Sequence, residues 1–135
     1  MKQQLIPYLI SSHPGCTIED MAALAIELKK IGYKPEQVQD FTPTPMTLAS
    51  VIYYSGIDPF TLKKVYSARL QQDKLDQQRF LFWYKPKNKE WIRLALTKKH
   101  RIDLYNELYD IKPGNAKFVK QPPSKNDQQH RKRHK

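Results

Sequence analysis

The chain has one cysteine in 135 residues, so no intramolecular disulfide can form, and a reducing compartment is compatible with it. No apolar run approaches the roughly 18–20 residues that span a bilayer, and the first ten residues are too short and too weakly charged for a secretory signal. These absences predict a cytoplasmic protein with no membrane span. The sequence also lacks an internal repeat and a Ser, His and acid triad. Asp40, Asp58 and Glu36 are spaced so that no paired-carboxylate mechanism follows, and no catalytic residue is assigned.

What is there suffices for about one domain, which at this length buries roughly two-thirds of its unfolded surface. The mean hydropathy of −0.75 is lowered mostly by residues after Lys112. Residues 112–135 carry eight Lys and Arg against Asp127, which is +7 of the chain's net +11 and leaves +4 for residues 1–111. That tail has too few apolar side chains to repay the entropy of ordering, so disorder is expected over 112–135. Within it Arg131, Lys132 and Arg133 are the candidates for a weak, salt-dependent nucleic-acid contact, with a solvated tail as the plain alternative.

Hydrophobic periodicity supplies the elements. Residues 4–10 (QLIPYLI) read as a buried strand ended by SSHPG. Thr17 and Asp20 have the spacing of a capping box, and Ile18, Met21, Ala22, Ala25, Leu28 and Ile31 recur at helical spacing up to Gly32. Residues 37–41 (QVQDF) alternate as a second strand, so a βαβ unit is predicted, with both following loops at one end if the strands are parallel. Thr44 is the predicted cap of a helix with Pro45 first, helical over 46–55 and ended by Gly56. Asp58 to Thr61 reads as a turn with residues 64–66 extended after it. Residues 70–84 suit a helix, with a strand over the aromatics 80–84 as the alternative, ended by Pro86 either way; Asn88 caps the next helix, and Ile102, Tyr105, Leu108 and Tyr109 mark a last stripe. The second half is therefore expected to be helical.

Cys16 follows Gly15 at a predicted helix start, where the dipole would lower a thiol pKa and favour reactivity; a small half-buried residue is the bland alternative. His13 and Cys16 offer two metal ligands where a structural zinc takes four, so no metal site is assigned. Phe80, Phe82, Trp83, Tyr84 and Trp91, set beside lysines, could stack on bases, but aromatics at helical spacing are more often core and these are assigned to packing.

Three stretches carry a resemblance: residues 6–20 (IPYLISSHPGCTIED), 35–50 (PEQVQDFTPTPMTLAS) and 53–65 (YYSGIDPFTLKKV). Together they resemble the YgiQ-type radical S-adenosylmethionine (SAM) proteins. The stretch 79–105, with KPKN and HRIDLY, is similar to that family's uncharacterised C-terminal domain. The resemblance covers about residues 5–109. It implies a division into residues 1–56 as the C-terminal part of a radical SAM barrel, 57–111 as a helical C-terminal domain, and 112–135 as a basic tail. PYLISSHPGCTIED and VQDFTPTP look like the last two barrel strands with their loops.

The resemblance further implies two cofactors for the full-length family, a [4Fe-4S] cluster held by CxxxCxxC thiolates near the first barrel strand and SAM, which that cluster cleaves reductively; soft sulfur ligands are what such iron requires. This chain contains no such motif and none of the first four strands. The expected fold is thus α/β: one or two βαβ-type strands and a crossover helix from a partial barrel, then a mainly helical region. Ser11, Ser12, His13 and Thr42 are the candidate SAM-side residues. The expected function is a fragment of a radical SAM iron-sulfur protein, with no cofactor in this chain alone and no activity alone. Two alternatives stand beside it: a small basic RNA-binding module, and a subunit that completes a split barrel with a missing N-terminal portion on another chain. For a fragment, an apolar face of the βαβ unit should lie uncovered.

Overall fold

The structure is a computed structural model that describes residues 6–112. Its first helix, α1 (Ile18–Lys30), starts where the capping box requires: the Thr17 hydroxyl accepts from the Asp20 amide at 3.2 Å, and the Thr17 amide donates to Asp20 Oδ2 at 2.8 Å. Glu19 and Asp20 in the first turn and Lys29 and Lys30 in the last complement the helix dipole. Gly32, at φ +72, closes the helix with Gly32 N–H donating to Lys29 O and Tyr33 N–H to Leu28 O, a Schellman arrangement that favours glycine. The buried face is Met21, Ala22, Ala25, Ile26 and Leu28.

α1 joins two short strands, β1 (Ile10–Ser11) and β2 (Gln39–Asp40), which pair in parallel with Ile10 opposite Gln39 and Ser11 opposite Asp40. The predicted strand over residues 4–10 is therefore corrected: among the described residues the ladder occupies only its end. Leu9 O accepts from Gln39 N–H at 3.2 Å, and Ser11 O from Phe41 N–H at 2.8 Å. Pro7 has no amide to add further back.

Helix α2 (Leu48–Ser55) is capped by Thr47, not by Thr44 as the sequence suggested. Met46 sits at φ +65, outside helical geometry, so the chain cannot enter a helix at Pro45. Thr44 contributes its carbonyl, which accepts from Thr47 Oγ1 at 2.8 Å and Ser50 Oγ at 2.6 Å. Gly56, at φ +70, ends the helix as expected. The turn at Asp58 forms, with Asp58 Oδ1 accepting from Phe60 N–H, and a single antiparallel bridge joins Ile57 to Lys64.

Helices α3 (Gln71–Leu81), α4 (Pro86–Lys98) and α5 (Ile102–Leu108) follow. α3 stops at Leu81, so Phe82 to Tyr84 lie in the turn after it. Pro86 is the first residue of α4, where a missing amide costs nothing, and Lys85 is the cap. Asn88 is thus not the cap of α4. It is buried inside that helix, and its Nδ2 donates to Phe82 O at 2.9 Å, closing the end of α3. Phe80, Leu81, Ile92, Leu96, Tyr105 and Leu108 join the apolar face of α1 in one core. The fold is mixed α/β and mostly helical, five helices and a two-stranded parallel sheet among the described residues. None of these helices is long and apolar enough to cross a membrane. Apart from Lys112, the tail with Arg131, Lys132 and Arg133 lies outside the described residues.

Candidate functional site

Parallel strands place the loops that follow them at one end of the sheet, which in open α/β folds is where ligands bind. Here those loops begin at Ser12 and Phe41. Ser11 is fully buried; its hydroxyl donates to Asp40 Oδ1 at 2.7 Å, and Gln78 Nε2 of α3 donates to the same oxygen at 2.9 Å. Ser12 is also fully buried, at φ +66. Its amide donates to Gln77 Oε1 at 2.8 Å, while Gln77 Nε2 donates to Cys16 O at 2.8 Å. A glutamine with no solvent exposure thus ties the loop after β1 to α3. Ser12 Oγ is buried with no hydrogen-bond partner among the described residues.

The four predicted SAM-side residues divide by exposure. Ser11 and Ser12 have no solvent-facing surface, whereas His13 and Thr42 are exposed. His13 sets its ring edge-on to Phe41 with centroids 5.1 Å apart, and Phe41 packs in turn on Tyr53 at 5.6 Å. On the Thr42 side an open cleft of about 600 Å³ is lined by Pro43, Thr44, Met46, Val51 and Tyr54. Gln77 and Gln78 were missed by sequence reasoning. The signal for Gln77 was present, since it lies three and four residues before Phe80 and Leu81 and so shares their inward face.

Cys16 does not behave as its position at the start of α1 suggested. Burial, and secondarily the Asp20 carboxylate, push its thiol up to about 11, so it is protonated at neutral pH. Asp20 itself is held below the usual carboxylate range by hydrogen bonds from Thr17. Among the described residues no three His, Cys, Asp or Glu side chains converge as metal ligands. A cluster that needs three thiolates therefore does not fit the donors this chain presents. The aromatics assigned to packing do pack: Phe80 is fully buried, Trp91 meets it edge-on at 5.8 Å, and Trp83, Phe82 and Tyr84 are half-buried.

A family model described as a domain of unknown function (DUF3362) matches residues 36–135. A UPF0313 protein of Porphyromonas gingivalis is 52% identical over 124 residues, 92% of this chain and 20% of the relative. One of Bacteroides thetaiotaomicron is 54% identical over 109 residues, 81% of this chain and 18% of the relative. One of Methanosarcina acetivorans is 48% identical over 103 residues, 76% of this chain and 14% of the relative. The chain thus spans at most about a fifth of the length of these curated relatives. No solved structure matches.

Proposed function

We propose, from the premise that this chain belongs to the UPF0313 (YgiQ-type) family and carries its C-terminal domain of unknown function (DUF3362), that it is the closing segment of a larger radical SAM protein and performs no radical reaction alone. The observation that carries the reading is the parallel βαβ unit with its apolar face in solvent. Ile6 and Tyr8 before β1 and Ile10 within it are 74%, 69% and 41% exposed, and Ile10 lies on the side of β1 opposite buried Ser11. Leu9 and Ser11 direct their carbonyls to β2, so strand alternation directs the backbone of Ile10 to the other, unpaired edge. A further parallel strand from the four-fifths of the relatives that lies outside this chain would fill that edge and cover that face.

In such an assembly the cluster thiolates come from elsewhere, because this chain has one cysteine and its thiol is held protonated. A cluster held there would supply the electron for reductive cleavage of SAM. This chain would present His13 and Thr42 at the strand ends, with Ser11, Asp40 and Gln78 fixing the strands that carry them. The substrate is left open, because a fold does not choose a reaction.

The test is anaerobic reconstitution of this chain with iron and sulfide, alone and after co-expression with the N-terminal four-fifths of the Porphyromonas gingivalis relative. Alone, neither cluster nor SAM cleavage is expected; with the complement, a one-to-one complex is expected that Tyr8→Glu weakens. Cluster assembly and SAM cleavage by the isolated chain would overturn the reading.

A further inference from the structure

Charge is segregated within the described residues. Residues 79–101 carry eight Lys and Arg against Glu90, a net +7, while the rest of residues 6–112 carry eight against eleven, a net −3. The basic stretch is α4 with its flanks. Arg93 pairs with Glu90, Lys99 with Glu19 and Arg101 with Asp103. Lys85, Lys87, Lys89 and Lys98 pair with no carboxylate among the described residues.

Two of these lysines border a cleft of about 510 Å³ between α3 and α4, whose other walls include Arg79, Phe82, Leu75 and Trp91. Lys85 Nζ lies 4.2 Å from the centroid of the Phe82 ring, and the Arg79 guanidinium 4.6 Å from that of Trp91. Arg79 is also held by Asp76 at 2.9 Å. An aromatic face positions a cation without cancelling its charge, so the Lys85 ammonium is fixed in place and still available to an anion. Fixing it beforehand removes part of the entropy cost of binding.

We propose that this cleft and the α4 ridge beyond it bind the phosphate backbone of a single-stranded nucleic acid. The cleft is of the size that holds a single small ligand, ~300–1,000 Å³, which suits one nucleotide unit of a strand. The charge continues outside it through Lys98, three turns on from Lys87 on the same flank of α4 and about 16 Å further along the helix, which is room for more than one phosphate. Cations set among aromatic and apolar side chains are the combination that single-strand binding surfaces use. This inference does not depend on the chain closing a barrel, since the cleft is formed by α3 and α4, which pack in the chain's own core.

The test is fluorescence anisotropy of a labelled 20-nucleotide oligouridine with the full chain between 50 and 300 mM salt. It compares the unchanged chain with K85E/K87E and with K63E/K64E, which makes the same charge change on an exposed loop. The first pair puts acids at the start of α4, where the helix dipole favours them, so the fold is not endangered; circular dichroism checks this. K85E/K87E should lose roughly tenfold or more in affinity at low salt, and its log-log salt slope should shrink by about 1.4, two phosphates at ~0.7 each. K63E/K64E should lose markedly less. Equal losses in both variants, no loss in K85E/K87E, or no binding by the unchanged chain at 50 mM salt would overturn the proposal.

Discussion

Helices α1, α3, α4 and α5 enclose Phe80, Leu81, Ile92, Leu96 and Leu108 at zero exposure, whereas residues 6–10 and 46–70 hold twelve of the sixteen exposed large hydrophobics among the described residues. Met46 at 103%, Phe60 at 82% and Leu62 at 77% are the extremes. The helical region therefore owns its core. The strand and loop region instead leaves its apolar side chains exposed. Between them stands Gln77, the buried polar link from α3 to the loop after β1.

The largest expected effect follows from this asymmetry. Phe80→Ala removes a fully buried ring that also meets Trp91, and should cost about 3–5 kcal/mol in urea unfolding. A loss below about 1 kcal/mol would mean that the helices do not form a packed core. Next comes Gln77→Leu, which keeps the bulk but strands the Ser12 amide and the Cys16 carbonyl. Each group left unpaired should cost roughly 1–3 kcal/mol. An unchanged urea midpoint would show that the loop finds other partners and that the two regions are coupled less tightly than Gln77 implies.

A smaller effect tests the start of α1. Thr17→Ala should cost about 1 kcal/mol. Asp20, whose carboxyl Thr17 holds below its ordinary range, adds a pH signature. Because its folded-state pKa is depressed, its contribution is fully present above the unfolded carboxylate value, about 3.9, and is lost as pH falls through the lower folded value. Asp20→Asn should therefore lower stability at pH 7 and flatten the decline on acidification. An acid limb of unchanged slope would assign that decline to other carboxylates.

How much of this was legible in the sequence depended on whether the deciding interaction was local. The cap of α1, its Gly32 stop, the Gly56 stop of α2 and the strand–helix–strand order followed from short-range patterns, and the structure adds that the strands pair in parallel. The start of α2 was misplaced because Met46 takes a left-handed conformation, and a Thr-Pro pair does not reveal what the next residue's backbone does. Asn88 was read as a cap from its type, but in three dimensions the end of α3 lies within its reach. The loop after β1 was picked out from its residues. Its burial was not, because that depends on Gln77 and Gln78 arriving from more than sixty and nearly forty residues away. The low-acid stretch around α4 was visible as sequence, yet only the fold sets Lys85 on Phe82 and Arg79 on Trp91.

The smallest expected effect is the sharpest test of the comparison. Phe60→Ala is the same chemical change as Phe80→Ala, made at 82% exposure instead of zero. In the isolated chain it removes few contacts, and the Asp58 turn is kept by the Phe60 amide, which alanine retains. Its cost in urea unfolding should lie within about 0.5 kcal/mol. A cost above about 2 kcal/mol would mean that the loop's apolar side chains are already covered in solution, for instance by a second copy of the chain. Dilution would then lower the unfolding midpoint of the unchanged protein but not that of the variant. If instead both proteins unfold at the same midpoint at every concentration, the exposed side chains contribute nothing to the chain by itself, and whatever selects them acts when another surface is present.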